Sequence, residues 1–193
     1  MAGRTPPLSP RRWLVAFCAA ALLSGCAALS VVSGLLGNQV VFTPSQLQGF
    51  LDDRFPREYE KLGGLVSLHV RNPRLSIPSG SRRLRLDFDV GVDTPGNDGN
   101  PAFGHLALTS GLRFDPGTRG LHLDAPSIAS LQLPEAGFAL GATGRELVDR
   151  WLADYAEREP VYRFDDSLLQ RLQSRRIGAT TIDDGRVVVH LDQ

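Results

Sequence analysis

The chain has 193 residues, and its 21 basic side chains balance 21 acidic ones, so it carries no formal net charge at pH 7. That balance excludes the strongly basic face a nucleic-acid partner would require. Two cysteines, Cys18 and Cys26, are too few for a disulfide framework, and the length fits one domain with a sizeable core.

At the start, Arg4, Arg11 and Arg12 precede an apolar run from Trp13 to Leu23, and no acid occurs before Asp52. The run is shorter than the roughly 20 apolar residues that span a bilayer. Basic flank, apolar run and small residues at the exit form a secretory leader pattern. The stretch Leu22-Leu23-Ser24-Gly25-Cys26 resembles the lipobox of bacterial lipoproteins. That resemblance implies a signal peptide over residues 1–25, cleavage between Gly25 and Cys26, and acylation of the Cys26 thiol with palmitate-type chains. An ordinary secreted chain with a cysteine at that place is the alternative. Each buried methylene contributes about 0.8 kcal/mol, so two or more acyl chains hold a protein on a bilayer where one does not. Residue 27 is Ala, not Asp. By resemblance to the sorting rule of enteric bacteria, this favours a lipid anchor in the outer membrane, with the domain on the periplasmic side. Loss of the leader would remove three arginines and no acid, leaving the remainder net acidic.

Residues 26–37 then comprise the lipidated cysteine and an apolar tether. Its Leu29, Val31, Val32, Leu35 and Leu36 either belong to a plain linker or touch lipid or the domain. Residues 38–193 are expected to form a single domain. Asn38–Phe42 reads as a strand. Thr43-Pro44-Ser45-Gln46 opens a helix with a capping box and proline at its first position, and Leu47, Phe50 and Leu51 give it one apolar face. Pro56 is expected to break or restart that helix, and Gly63-Gly64 to end it.

From Leu65 to Leu133 the apolar period becomes two. Leu84, Leu86, Phe88, Val90 and Val92 alternate with Arg83, Arg85, Asp87, Asp89 and Gly91, as in an antiparallel strand with one wet face. A long turn is predicted over 93–101. Leu106, Leu108, Leu112 and Phe114 continue the alternation with Ser110 as a small gap, and Ala125-Pro126 marks a bend or edge. Thr143-Gly144-Arg145-Glu146 reads as a second capping box, opening a helix over 143–159 with Leu147, Val148, Trp151, Leu152 and Tyr155 on its apolar stripe. Val161–Phe164 reads as a short strand, Asp166 as the cap of a third helix, and 177–191 as a hairpin around Asp183-Asp184-Gly185. Strands grouped in a meander argue against a parallel sheet. The predicted fold class is α+β, one curved antiparallel sheet wrapped around helix 143–159.

Motifs for chemistry are sparse. The chain has no G-x-S-x-G, H-E-x-x-H, P-loop or Rossmann glycine signature. His69, His105 and His122 fall on the wet face of the predicted sheet, scattered singly, so solvated histidines outweigh a metal site. Ser127 lacks a placed His and Asp for a triad. The acid pairs Asp52-Asp53, Asp165-Asp166 and Asp183-Asp184 fit a helix interior, a cap and a turn. Arg82, Arg83 and Arg85 fit a charge-paired strand better than a headgroup contact, because Asp87 and Asp89 follow on the same face. No enzyme activity, metal or cofactor is expected.

The lipobox, the T-P-S-Q-L-Q-G-F-L helix start (43–51), the L-R-L-D-F-D-V strand (84–90) and the L-x-x-Y-x-x-x-E-P-V-Y segment (152–162) together resemble the YceB-like outer-membrane lipoproteins. The resemblance covers roughly residues 38–193 and implies a tubular lipid-binding (TULIP-like) fold holding a hydrophobe in an apolar tunnel. On that basis the candidate ligand residues are Leu84, Leu86, Phe88, Val90, Leu106, Leu108, Leu112, Phe114, Leu147, Val148, Trp151, Leu152 and Tyr155. Apolar pockets are the usual home of such ligands. The alternative is a structural or adaptor lipoprotein of the cell envelope, with these residues packed as a filled core and a protein partner bound outside.

Overall fold

The computed structural model describes residues 37–61, 66–93, 101–133, 142–172 and 175–192. Cys26 with its leader, the tether as far as residue 36, Gly63-Gly64 and most of the turn after Asp93 lie outside them. Residues 38–193 form a compact unit.

Among the described residues nine strands build two antiparallel sheets. They are β1 (Gln39–Phe42), β2 (Arg57–Lys61), β3 (Val66–Ser76), β4 (Leu84–Asp93), β5 (Phe103–Asp115), β6 (Gly120–Gln132), β7 (Tyr162–Arg163), β8 (Arg176–Asp183) and β9 (Arg186–Asp192). The larger sheet has the order β2-β3-β4-β5-β6-β7 and the smaller β1-β9-β8. Three helices accompany them: α1 (Pro44–Asp52), α2 (Ala142–Arg158) and α3 (Asp166–Arg171).

The expected α+β fold, a curved sheet wrapped around a long amphipathic helix, is therefore overturned. The described residues are mostly strand, the helices among them are short, and no long amphipathic helix serves as a spine there. Geometry gives the reason. The 17 residues of α2 rise about 26 Å at ~1.5 Å each, whereas the 13 residues of β5 and of β6 extend about 43 Å at ~3.3 Å each. A helix of that length covers part of β6, and the remaining apolar surface meets other elements. Strand β3 carries α1, and β5 has β8 against it.

Local chemistry explains most boundaries. Thr43 Oγ1 accepts from the Gln46 amide while Gln46 Oε1 accepts from the Thr43 amide, so the predicted capping box is formed. Gln48 fixes α1 to the sheet by donating to Pro73 O at 2.8 Å and accepting from the Leu75 amide at 2.7 Å. The helix does not restart after Pro56. Residues 57–61 instead form edge strand β2, paired with β3 from Arg57↔Val70 to Lys61↔Val66. Thr143 lies inside α2, not at its cap. Asp52 is the last residue of α1 and Asp53 caps its C-terminus, so that pair marks an end and not an interior.

The cap of α3 is Asp165, one residue before the predicted Asp166; its carboxylate accepts from the Leu168 amide at 2.7 Å and from the Ser167 hydroxyl at 2.7 Å. The Ser167 bond, followed by the Leu168 amide, holds the Asp165 pKa below its ordinary value. A group depressed in the folded state stabilises above its unfolded pKa and loses that contribution as pH falls through the folded one. Asp165→Ala is thus expected to cost about 1 kcal/mol at neutral pH, and the difference from wild type should vanish in acid; parallel urea titrations at pH 7 and in the acid range test this.

Period-two burial holds along β4, where Leu84, Leu86, Phe88, Val90 and Val92 are buried. It fails in β6: Leu121, His122 and Leu123 are consecutive and all buried. The β8–β9 hairpin turns at Asp184-Gly185, both with positive φ (46° and 70°), the conformation that Asp-Gly favours in a tight hairpin.

Candidate functional site

Of the thirteen predicted ligand residues all but Phe114, which is half-buried, are buried. Ring contacts join Phe88, Trp151 and Tyr155 of that set. Trp151 lies edge-on to Phe88 (centroids 5.9 Å apart, planes at 86°) and to Tyr59 (5.7 Å), and tilted to Tyr155 at 5.5 Å. Phe55 joins both Phe88 (5.4 Å) and Tyr155 (6.2 Å), and Phe114 meets Phe164 at 5.2 Å. Such spacings lie within direct aromatic contact, so Trp151 of α2 and Phe88 of β4 leave no gap between them. Burial raises the pKa of the Tyr155 hydroxyl, which keeps it neutral in this apolar setting. The indole Nε1 of Trp151 is buried without a hydrogen-bond partner.

His122 is not on a wet face. Its ring is fully buried, with Nδ1 3.1 Å from Ala156 O and Nε2 2.7 Å from Thr118 Oγ1, so it ties the end of α2 to β6. The end of α2 covers the strand face that the alternation left open to water. His105 Nε2 sits 3.1 Å from Asp87 Oδ1 and His190 Nε2 3.1 Å from Thr181 Oγ1. Among the described residues no group of three or more potential ligands could hold a metal ion. Ser127 Oγ lies 3.1 Å from Thr109 Oγ1, a cross-strand hydroxyl pair.

A cleft of about 580 Å³ opens elsewhere, between the sheets. Four consecutive residues of β8, Thr180 to Asp183, form one side; Arg82, Arg83, Leu112 and Asp124 stand opposite. Successive side chains of a strand point to opposite faces, so four in a row lining one space means that the strand presents its edge there. Strand β8 ends the order β1-β9-β8 and among the described residues pairs only with β9. Its outer edge offers backbone donors and acceptors to the cleft.

The opposite wall is built by a bulge. The β5–β6 register shifts between Thr109 and Gly111, and Ala125 has a φ of 44°. Arg83 donates to the carbonyls of Thr109 (3.0 Å) and Ala125 (2.6 Å), and the Ser110 hydroxyl lies 2.8 Å and 2.9 Å from those of Gly111 and Asp124. Carbonyls displaced from the ladder are thereby satisfied. Arg83 is consequently a backbone clamp, while Arg85 forms a double hydrogen bond with Asp87 at 2.9 and 2.8 Å. Thr180 Oγ1, on the β8 side, is buried without a partner. Of the predicted ligand residues only Leu112 lines this cleft. Gly111 inside an alternating strand was the available signal for the bulge; nothing in the local sequence marks β8 as an edge.

Neither a protein-family model nor a curated protein matches the chain.

Proposed function

We propose that this chain is a non-enzymatic lipoprotein of the bacterial cell envelope, related to the YceB-like lipoproteins. It is anchored through acylated Cys26 in the outer membrane on its periplasmic side, and acts as an adaptor that receives an extended segment of a protein partner along the edge of β8. One observation carries this choice over a lipid carrier: Trp151 of α2 and Phe88 of β4, at the centre of the predicted ligand set, are each 1% exposed and in ring contact with one another. The cleft beside β8 then offers unpaired strand edge, the feature that strand-addition recognition uses. The location rests on Leu22 to Cys26 and the basic, apolar leader ahead of them.

A second reading has an observation of its own. Buried polar atoms without partners are uncommon, and Trp151 places its indole Nε1 at the inner face of α2 without one. A hydrophobic ligand with a polar head would satisfy it. Native mass spectrometry of the full chain, purified from membranes in mild detergent and paired with solvent extraction, separates the two. The adaptor reading expects the covalent anchor alone. A reproducible further lipid at one per chain whose load falls in Trp151→Phe overturns it in favour of the carrier.

A further inference from the structure

A separate cavity of about 390 Å³ lies at the other end of the larger sheet, where β2, β3 and the start of β5 meet. Its chemistry centres on Arg71. The guanidinium stacks on Phe103, with Cζ 3.3 Å from the ring centroid, which fixes its plane. Asp89, its cross-strand partner, lies 3.9 Å away from Nε, an ion pair beyond hydrogen-bonding range, and the same Asp89 oxygen already accepts from Asn72 at 2.6 Å. Arg71 therefore holds a preset, half-exposed fork of N–H donors whose one ion pair among the described residues, to Asp89, is too long for a hydrogen bond.

Two further nitrogen-bearing groups line the same cavity. His69 Nε2 is buried and unpartnered, with the Glu58 carboxylate 3.7 Å off. Arg57 is held in place by Glu159 at 3.0 Å. The buried His69 nitrogen is costly to leave without a partner, and the half-exposed Arg71 guanidinium facing the same space can exchange solvent for an anion. Pro56, Val70 and Phe103 supply apolar wall around them.

We infer that this cavity binds a phosphate-bearing small molecule or headgroup, with Arg71 clamping the phosphate in bidentate fashion and His69 supplying a further donor. A phosphate offers several acceptor oxygens to donors arriving from different strands, and planar Arg forks suit oxyanions. The cavity exceeds the size of a bare ion, and its apolar wall accommodates the organic substituent. Glu58 opposes the anion, so its carboxylate sets an upper limit on affinity. The inference does not depend on the adaptor reading, because the cavity shares no residue with the cleft beside β8.

Isothermal titration calorimetry on the full chain in non-ionic detergent tests it with inorganic phosphate, glycerol phosphate and short-chain phosphatidylglycerol. Saturable binding of glycerol phosphate or of the lipid at one per chain is expected. Arg71→Leu should weaken it about tenfold or more through loss of a charge-assisted pair, and Glu58→Gln should tighten it. Both side chains are about half exposed (44% and 53%), so both variants are expected to fold, which far-UV circular dichroism verifies. Competition by inorganic phosphate points to a soluble phosphate as the source; binding of the lipid alone points to a headgroup. Absence of saturable heat with all three probes, or binding unchanged in Arg71→Leu, overturns the assignment.

Discussion

Replacing Trp151 by alanine is expected to lower the free energy of unfolding by about 3–5 kcal/mol. The indole is 1% exposed and contacts Phe88, Tyr59 and Tyr155 at once, so truncation leaves a void bounded by rings from β2, β4 and α2. Aromatic contacts add to the transfer term, and rings held by three separate elements collapse poorly into such a space. Trp151→Phe should behave differently. The indole N–H has no acceptor, so phenylalanine removes an unsatisfied donor along with one ring. That offsets part of the lost volume, and the cost should stay below about 2 kcal/mol. Urea unfolding of the full chain, followed by far-UV circular dichroism, measures both variants against wild type. Equal costs for phenylalanine and alanine would mean that the indole nitrogen makes a bond and that the interior contains a polar partner.

That interior was largely visible in the sequence, because apolar periodicity reports burial directly. Leu84 to Val92 alternate as expected, and α2 appears where Leu147, Val148, Trp151 and Tyr155 place it. The capping box at Thr43 and the hairpin at Asp184-Gly185 are local devices, legible because each depends on residues a few positions apart. Strand β2 was hidden. Its REYEK sequence has one apolar residue, Tyr59, and its pairing with β3 comes from the tertiary context. The division into two sheets was hidden as well. β1 pairs with β9, Phe42 against Val187, and no local pattern encodes a partner at such separation. The misplacement of His122 has the same origin: a strand buried on both faces no longer alternates, and the cover comes from Ala156 on α2. The cleft beside β8 depends on that long-range topology and on the bulge at Gly111. Single residues pointed to the bulge, whereas the open edge emerged only from the strand order.

Two glycines distinguish backbone approach from mere flexibility, and they should respond to alanine with opposite sign. Gly104 pairs with Val90 on one side, while on the other an added Cβ would collide with the carbonyl of Gln132 and crowd the backbone of Leu133. Those atoms belong to the end of β6 and cannot rotate away as a flexible side chain would. Gly104→Ala must therefore pry β5 from β6 where His105 and Gln132 pair, and it should cost more than about 3 kcal/mol, at or beyond the usual range for overpacking. Gly49 lies within α1 on an exposed face, and a Cβ there would meet nothing within 4 Å. Gly49→Ala removes conformational freedom from the unfolded chain and should stabilise by about 0.5–1 kcal/mol. Thermal unfolding of the two variants beside wild type gives both signs in one experiment. A Gly104→Ala protein as stable as wild type would show that β5 and β6 diverge at this end, and that the sheet edge nearest Phe103 is looser than its register implies.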